Sequence, residues 1–392
     1  MVDFIEEAKL VFEDTRKMRR DFHMHPELGF QEERTSGIVA AELRKLGIDV
    51  VTGVGKTGVV GLLEGKKKKP VLLLRFDMDA LPVTEENDVL YVSLNKGIMH
   101  ACGHDAHTAI GLSVARILSS HRDELQGTIK FVFQPAEEGQ GGAQAMVKDG
   151  VLENPVPDYS LAMHVWNEKP IGWMGITSGP AMAAAETFTI RINGRGGHGA
   201  SPHQTVDPVY IASQVVVGLQ SIISRNVNPM ETGVISATSI HGGETFNVIP
   251  QWVEICGTIR TFTPSTRALV LRRLREVADG VASTYGASAE VTVESITPTV
   301  NNDPALSKRV YEIAKTFFPD FDFDRNKKTM GSEDMAFLME TVPGCFVFVG
   351  SSNPEKGLNA EHHHPRFDFD EEVLQIGTAL IAGTAFRLLQ QG

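Results

Sequence analysis

Hydrophobic and polar positions change period several times within residues 1–181, which predicts short alternating elements. Helical spacing of apolar residues predicts two helices within 3–47, separated where Pro26 and Gly29 interrupt the period. Further helices are predicted at 106–120 and 142–149. Compact apolar runs predict strands at 57–63, 71–76, 128–133 and 159–165. Because strands alternate with helices, we expect an α/β sheet with parallel neighbours.

Residues 182–296 follow a different order of elements. Strands are predicted at 188–192, 232–241, 252–262 and 289–295, and helices at 207–224 and 264–283. The order β-α-β-β-α-β is that of a ferredoxin-like unit. Candidate chemical residues lie on both sides of this segment, so we expect an inserted domain at 182–296. Residues 1–181 and 297–392 then form one discontinuous catalytic domain.

The composition is that of a globular protein, since 42% of the 392 residues are hydrophobic and 22% are charged. These fractions exclude disordered, collagen-like and coiled-coil chains. The 37 Lys and Arg residues against 49 Asp and Glu give a formal charge of −12, and an acidic surface argues against nucleic-acid binding. The basic run 66–69 precedes a strand and predicts a solvent-exposed hairpin turn rather than a phosphate or membrane site.

The sequence also carries signals about the compartment. Residues 1–8 show no cationic stretch followed by an apolar core, so we expect no signal peptide. No apolar run reaches the roughly 18 to 20 residues that span a bilayer. The cysteines Cys102, Cys256 and Cys345 are odd in number and sparse, which fits a reducing compartment better than a disulfide scaffold. We therefore expect a cytoplasmic protein.

Four short segments carry side chains suited to metal binding. Cys102 and His104 stand two residues apart on a glycine-containing loop before a predicted helix, whose N-terminus favours a thiolate. The segment 134–139 follows a strand and contains two adjacent glutamates, which point in different directions. His164 lies at the end of another strand, and residues 362–364 are three consecutive histidines. Sulfur, nitrogen and oxygen donors together are typical ligands of first-row transition metals.

Each of these features alone has a simpler explanation. A single histidine, such as His100, His107 or His198, is more often a surface or hydrogen-bonded residue than a ligand. The paired glutamates are compatible with a solvated turn, and Cys102 with a small buried residue. The four segments together favour a metal site, because loops at strand ends are where open α/β sheets place their sites.

Ordered motifs along nearly the whole chain resemble one enzyme family. The motifs are 18–23, 25–28, 75–82, 99–105, 133–138, 196–200, 247–250, 257–260 and 363–365. The sequence resembles the metallopeptidase-family N-acyl-amino-acid amidohydrolases, in the branch of aminoacylases, hippurate hydrolases and indole-acetyl-amino-acid hydrolases. The resemblance implies an α/β catalytic domain with a central mixed sheet flanked by helices. It also implies that the inserted ferredoxin-like α+β domain serves as a lid and as a dimerisation domain.

The resemblance further implies roles for single residues. A centre of two divalent metal ions (Zn, Mn, Co or Ni) would be held by Cys102, His104, Glu138, His164 and His363, with Cys102 bridging. Among the three terminal histidines, His363 alone fits the family's His-x-Pro spacing. Glu137 takes the place of the general base, and His198 that of a donor to the scissile carbonyl oxygen. Asn247 and Arg260 match positions that contact the substrate carboxylate.

One departure from better-known peptidase branches narrows the expected function. Those branches use His-x-Asp after the central strand and a bridging Asp, whereas this chain has Asp77-Met78-Asp79 and Cys-Gly-His at the bridging position. The resemblance therefore favours the amidohydrolase branch over dipeptidases and carboxypeptidases. We expect Asp79 to orient a metal-binding histidine through a hydrogen bond.

The expected activity is metal-dependent hydrolysis of N-acyl amino acids to a carboxylic acid and a free amino acid. The expected partners are a small-molecule substrate and a second copy of the chain, with no nucleic acid and no membrane. A carboxypeptidase or dipeptidase on the same scaffold is the alternative enzyme. A metal-binding or amino-acid-binding protein without catalysis is another, but Glu137 beside Glu138 argues against it, since metal binding alone needs no additional base.

Overall fold

A computed structural model describes residues 2–390. The helices are α1 (Phe4–Met24), α2 (Glu33–Lys45), α3 (His104–Ser120), α4 (Gly142–Lys148), α5 (Pro208–Arg225), α6 (Pro264–Thr284), α7 (Pro304–Phe317), α8 (Met335–Met339) and α9 (Glu372–Gln390). The first strands are β1 (Asp49–Val54), β2 (Gly58–Glu64), β3 (Val71–Asp77), β4 (Thr128–Gln134), β5 (Tyr159–Pro170), β6 (Trp173–Gly175), β7 (Gly179–Met182) and β8 (Ala184–Asn193). The remaining strands are β9 (Gly197–His198), β10 (Gly233–His241), β11 (Val248–Ile249), β12 (Trp252–Thr261), β13 (Ser288–Thr297), β14 (Val300–Asn302), β15 (Asp322–Asp324) and β16 (Gly344–Ser352).

The described residues divide into two compact units. The first comprises the residues up to Ala181, Val300–Lys328 and the residues from Asp334 onward. The second comprises Met182–Thr299 and Thr329–Glu333. The predicted domain limits and the lid and dimerisation roles remain predictions.

A mixed sheet forms the centre of the first unit. Among the described residues its strand order is β1-β2-β4-β3-β5-β16-β6-β15. Strands β4, β3, β5 and β16 run parallel to one another, whereas β2 is antiparallel to both β1 and β4, and β6 is antiparallel to β16. Every residue of β3, β4 and β16 is buried, as expected for parallel strands covered on both faces. The predicted α/β fold with a central mixed sheet is confirmed.

Helices α1, α3 and α9 pack against one another and cover one side of this sheet. Among the described residues, α9 is the one helix that is long and apolar enough to cross a membrane, with a mean hydropathy of 1.3. Most of this helix is buried inside the protein. Contacts with α1, α3, α7 and the sheet explain this apolar composition, because a helix enclosed on all sides has no polar face.

The second unit is a four-stranded antiparallel sheet with two helices. Its strand order is β10-β12-β8-β13, and α5 and α6 pack together on one face. Alternate residues of β8, including Phe188, Ile190 and Ile192, are buried and form a core with both helices. Side chains of Asp207 and Thr263 cap the N-termini of α5 and α6. The β-α-β-β-α-β order expected from sequence is present.

The segment 66–69 differs from its prediction. Its four lysines are exposed, as expected, but the segment is not a hairpin turn. Strand β4 lies between β2 and β3, antiparallel to one and parallel to the other. The chain therefore crosses over the end of β4. Two strands that are neighbours in sequence pair only about two-thirds of the time, and local turn chemistry cannot reveal a strand inserted 60 residues later.

Candidate metal centre

The parallel strands bring their carboxyl ends to one edge of the sheet. Asp77 ends β3 opposite Gln134, which ends β4. Arg75 lies opposite Ala162 of β5, two residues before His164. The polar residues that follow these positions along the chain therefore converge on the same edge, where open α/β sheets place their sites.

The loop before α3 adds a thiol and an imidazole to this edge. Helix α3 begins at His104, and Gly103 at its N-cap has a φ of +90°. A β carbon on Gly103 would lie 2.4 Å from Cγ2 of Val165, so α3 and β5 approach this closely only with glycine. Both Cys102 and His104 are buried.

Candidate ligand atoms form overlapping groups whose members all lie within 4.8 Å of one another. Three of the groups are Cys102 with His104 and His164, Cys102 with Glu138 and His363, and His104 with Glu137 and Glu138. Cys102, His104 and Glu138 each belong to more than one of these groups. The structure thus brings together the five predicted ligands and the predicted base, whose roles remain predictions.

His104 presents one free nitrogen to this cluster. Its Nδ1 lies 3.1 Å from Oδ1 of Asp79 and 3.0 Å from the Asp79 carbonyl oxygen, so Nδ1–H donates. Its Nε2 is buried and has no hydrogen-bond partner. Burial opposes the imidazolium, but Asp77 and Asp79 outweigh it and raise the pKa of His104 to about 10. The same negative field favours a metal cation at Nε2, and Asp79 makes the contact expected of it.

His164 and Cys102 are spaced like two ligands of one ion. Nδ1–H of His164 donates to the Val165 carbonyl oxygen at 2.6 Å, which leaves the Nε2 lone pair 3.5 Å from Sγ of Cys102. Sulfur and nitrogen bound to one tetrahedral zinc, at ~2.3 and ~2.0 Å, lie about 3.5 Å apart. Burial and neighbouring His107 hold the pKa of His164 well below its usual value, so the ring is neutral.

Cys102 requires a cation nearby to ionise. Burial raises the pKa of its thiol well above the usual value, and the carboxylates of Glu138, Glu137 and Asp77 raise it further. A thiolate in such a negative environment is stable only beside a compensating positive charge. The donor set and the unpartnered His104 nitrogen therefore fit a divalent metal ion.

Glu138 and His363 complete the cluster from the other side. Oε1 of Glu138 is buried and forms an ion pair with Nε2 of His363 at 3.2 Å. Burial raises the carboxyl pKa, but His363 and His104 outweigh it and lower the pKa of Glu138. The Glu138 backbone N–H donates to Oδ2 of Asp79 at 3.0 Å. One aspartate thus positions residues on two loops.

His107 lies one turn after His104 and faces the same region, yet both of its nitrogens are engaged. Its Nδ1 contacts Oδ1 of Asp77 at 2.5 Å, and its Nε2 accepts the Val165 backbone N–H at 3.0 Å. A backbone N–H can only donate, so the lone pair of His107 is used inside the protein. The geometry therefore makes His107 a supporting residue rather than a ligand.

Glu137 is held in place by the loop that carries it. Ala136 has a φ of +51°, a left-handed conformation unusual for alanine. Its N–H donates to the buried carboxylate of Glu32 at 2.9 Å. The Asp334 backbone N–H donates to Oε1 of Glu137 at 3.3 Å. These contacts fix the direction of the predicted base.

The other predicted residues belong to the second unit. His198 is exposed on β9, opposite Val248 of β11. Asn247 is also exposed, and its carbonyl oxygen accepts the Gly199 N–H at 2.8 Å. The segments that carry His198 and Asn247 therefore lie side by side. Arg260 is half-buried on β12, where its Nη1 donates to the Ile259 carbonyl oxygen at 3.0 Å.

The sequence profile of Peptidase family M20/M25/M40 matches residues 73–387. The chain belongs to this family. Full-length similarity to individual relatives supports the assignment. Amidohydrolase YhaA of Bacillus subtilis (strain 168) is 42% identical over 375 residues, which are 95% of this chain and 94% of that protein. N-acetylcysteine deacetylase of the same strain is 38% identical, with coverage of 95% and 96%.

Another M20-like relative has a different named activity. Thermostable carboxypeptidase 1 of Saccharolobus solfataricus is 38% identical and covers 92% of both chains. Among solved structures, one from methicillin resistant Staphylococcus aureus has a TM-score of 0.93 and 34% identity, covering 99% of both chains. The Bacillus subtilis YXEP protein, described as a dinuclear metal binding peptidase of the M20 family, has a TM-score of 0.85 and 36% identity, covering 97% and 99%.

A buried polar network under the M20 site was not anticipated from sequence. Arg75 donates to Gln134 at 2.7 Å, to Asp77 at 2.5 Å and to Asp334 at 3.2 Å. Gln134 also donates to Asp334 at 2.6 Å. Arg75 interrupts the apolar run of β3 and Gln134 ends β4 with a buried polar side chain, and these polar positions are the signal that could have revealed them. Asp334 gives no such signal, since it lies in a polar segment far along the chain.

Proposed function

We propose that the protein is a metal-dependent amidohydrolase that splits the amide bond of N-acyl amino acids. Acetyl, benzoyl or similar acyl groups would be released as carboxylic acids, together with a free amino acid. The observation that carries this proposal is the buried Cys102–His104–His164 group, whose free lone pairs converge beside two adjacent glutamates. The relative named N-acetylcysteine deacetylase supports the substrate class.

Two divalent ions would be held by Cys102, His104, Glu138, His164 and His363. Zn²⁺, Mn²⁺, Co²⁺ and Ni²⁺ all match this mixed donor set. Bound there, the ions supply Lewis acidity, which polarises the amide carbonyl and makes water a stronger acid. The relative described as a dinuclear metal binding peptidase supports the count of two ions.

Glu137 acts as the proton carrier in this proposal. Its carboxylate takes the proton of the attacking water and returns it to the leaving amine, a role typically worth about 10²- to 10⁴-fold in rate. The hydrogen bond from the Asp334 N–H to Oε1 restricts rotation of the carboxylate.

Residues of the second unit would bind the substrate. His198 would donate to the oxygen of the scissile carbonyl, a type of donor whose loss costs on the order of 10²- to 10³-fold elsewhere. Asn247, adjacent to His198 through the pairing of β9 and β11, would contact the amino-acid carboxylate. Arg260 offers a planar set of N–H donors for the same carboxylate.

We further propose a cytoplasmic homodimer that pairs through the second unit. Helix α5 exposes Val209, Tyr210 and Val217, of which Val217 is 68% exposed. Strand β10 is at an edge of its sheet, so its outer backbone groups are available to a partner. Sedimentation analysis of the purified protein tests this part of the proposal, and a monomer at assay concentration would contradict it.

A substrate panel with metal-reconstituted protein tests the activity. The metal-free protein should be inactive towards N-acetyl, N-benzoyl and peptidyl amino acids, and divalent metal should restore hydrolysis of the N-acyl compounds first. Preference for peptides would favour the carboxypeptidase activity named for one relative. Full hydrolysis by a sample that elemental analysis shows to be free of metal would refute the proposal.

A further inference from the structure

His362 lies beside the proposed ligands, but no role has been assigned to it. Its Nε2 accepts the backbone N–H of Asn167 at 3.2 Å. A backbone N–H can only donate, so Nε2 must carry a lone pair. Rotating the ring by half a turn would set a carbon atom against that N–H and leave the donor unpaired. A neutral imidazole with its lone pair on Nε2 has its proton on Nδ1.

The ring of His362 is fixed on several sides. It packs against Trp166 and Phe367, with ring centroids 5.3 and 4.9 Å away. The loop that carries it is tied to the end of β5, because Nδ2 of Asn167 donates to the carbonyl oxygens of Ala360 and Asp368 at 2.8 and 3.0 Å. The direction of Nδ1 is therefore set by the fold.

Nδ1 of His362 lies 3.9 Å from the sulfur of Cys102, and His362 also interacts with the backbone of the same residue. His164 approaches the same sulfur at 3.5 Å, but its free nitrogen carries a lone pair. When Cys102 is a thiolate, two lone pairs facing each other need a cation between them, whereas an N–H facing sulfur needs none. His164 therefore presents a lone pair to the sulfur of Cys102, whereas His362 presents an N–H donor.

We propose that His362 is a positioning residue whose Nδ1–H donates a hydrogen bond to the sulfur of Cys102. The inference rests on the proposed function, in which Cys102 is a thiolate ligand. A thiolate accepts a hydrogen bond more strongly than a neutral thiol because the bond is charge-assisted. The bond withdraws electron density from sulfur, so it weakens donation to the metal ions while holding the side chain in place.

Two other roles for His362 are less compatible with its contacts. As a metal ligand it would need a free nitrogen, yet Nε2 is occupied by Asn167 and Nδ1 carries the proton. As a packing residue alone it would not require the Asn167 N–H, since a phenyl ring would fill the same space. Both roles predict results different from those of the proposed hydrogen bond.

The test compares two variants of similar size. His362→Asn keeps an N–H donor near the position of Nδ1, whereas His362→Leu removes it. Each protein is loaded with Co²⁺, its cobalt content is measured, and its thiolate-to-cobalt charge-transfer absorption is recorded. Loss of the hydrogen bond makes the sulfur easier to oxidise, so this band should move to longer wavelength in His362→Leu and remain close to the wild-type position in His362→Asn.

The same spectra distinguish failure of the inference from failure of the proposed function. Cys102→Ser should abolish the band, and a wild-type protein that binds cobalt without the band would refute the thiolate ligand itself. An unchanged band in His362→Leu with full cobalt content would refute the hydrogen bond alone. A ligand role would instead appear as lost cobalt in both His362 variants.

Nuclear magnetic resonance of the unaltered protein decides the question if His362→Leu does not fold. Long-range ¹H–¹⁵N correlations of zinc-loaded protein containing labelled histidine distinguish the two imidazole tautomers. We expect His362 with its proton on Nδ1. A proton on Nε2 would overturn the proposal, because no hydrogen would then face Cys102.

Discussion

His104 and His107 lie one helical turn apart on α3, but their ring nitrogens have different uses. The Nε2 of His104 has no partner, whereas that of His107 accepts a backbone N–H. At the level of single residues, the tautomer imposed by fixed donors and acceptors separates ligands from supporting residues. The same reasoning separates His164 from His362 around the sulfur of Cys102.

The adjacent glutamates should respond differently to the same substitution. Glu137→Gln removes the proposed base and keeps the ligands, so kcat should fall by about 10²- to 10⁴-fold with little change in metal content. Glu138→Gln removes a proposed ligand and should lower the metal content itself. Elemental analysis alongside kcat measures both. The assignment is wrong if Glu137→Gln empties the site while Glu138→Gln does not.

The cysteines provide an internal comparison. Cys102→Ala should lower the metal content, because it removes the proposed bridging ligand. Cys345→Ala, in the buried strand β16, and Cys256→Ala, in the second unit, should leave metal content unchanged. Metal stoichiometry of the three purified proteins is the measurement, and equal metal in Cys102→Ala and wild type would exclude Cys102 as a required ligand.

The sequence was sufficient to name the residues that meet at the centre but not those that support them. Cys102, Glu138 and His363 stand in short motifs with recognisable donor types, so spacing and resemblance pointed to them. The contacts of Asp334 depend on distant parts of the chain meeting in the fold. The role of His362 depends on a backbone N–H of β5, which no local pattern encodes.

At the scale of elements, Gly103 controls how helix α3 meets strand β5. Gly103→Ala would adopt a left-handed conformation and also force a β carbon to 2.4 Å from Val165. Left-handed strain of about 1–2 kcal/mol and overpacking of about 1–3 kcal/mol should together destabilise the protein by roughly 2–5 kcal/mol. The variant should also bind metal poorly, because Cys102 and His104 flank the glycine.

The same Gly→Ala substitution at an unobstructed helical position should increase the stability of the protein instead of lowering it. Gly37 is exposed within helix α2, and a β carbon there would meet nothing within 4 Å. Gly37→Ala should therefore stabilise the protein by about 0.5–1 kcal/mol. Urea unfolding of both variants is the measurement. Similar effects from the two substitutions would contradict the close approach at Gly103.

Helix α1 is tied to α3 by a buried ionic network. Arg19 is fully buried and contacts Asp105 at 2.8 Å and Asp368 at 2.9 Å. Nδ1 of His23 lies 2.7 Å from Asp105, and its Nε2 lies 3.1 Å from Glu85. Burial and Arg19 disfavour the imidazolium, but the hydrogen bonds to both carboxylates outweigh them and raise the pKa of His23.

This network should make stability depend on pH. Because the folded pKa of His23 is above its unfolded value, the stabilisation is fully present below about pH 6.5 and is lost as pH rises through the folded pKa. In metal-free protein, His23→Gln should therefore lower the urea midpoint more at about pH 6 than at about pH 10. The exposed His203→Gln should change neither midpoint. If the loss of urea midpoint caused by His23→Gln instead increased with pH, the predicted pH dependence would be refuted.

Most elements were predictable because their hydrophobic period is local information. Helices α5 and α6 and strands β3 and β4 lie within a few residues of their predicted limits. The order of strands in the sheet is harder to predict, because it depends on contacts between distant parts of the chain. The local sequence favours a hairpin at 66–69, because the strand that separates β2 from β3 follows only after α3.

For the whole molecule, the proposed dimer predicts an active site shared between two chains. If His198 of one chain serves the metal centre of its partner, then Glu137→Gln and His198→Ala proteins are each inactive for a different reason. Refolding the two together should restore part of the activity, since one site in each mixed dimer would have both residues intact. Mixed dimers demonstrated by mass spectrometry without recovered activity would contradict the shared site.

The proposed metal centre draws on residues that lie far apart in sequence. Four of its five proposed ligands lie from Cys102 to His164, whereas His363 follows about 200 residues later, after the complete second unit. During synthesis, the inserted unit therefore leaves the ribosome before the last ligand has been translated. Until His363 is translated, the nascent chain lacks one of the five proposed ligands, so the complete proposed centre can form only late in synthesis.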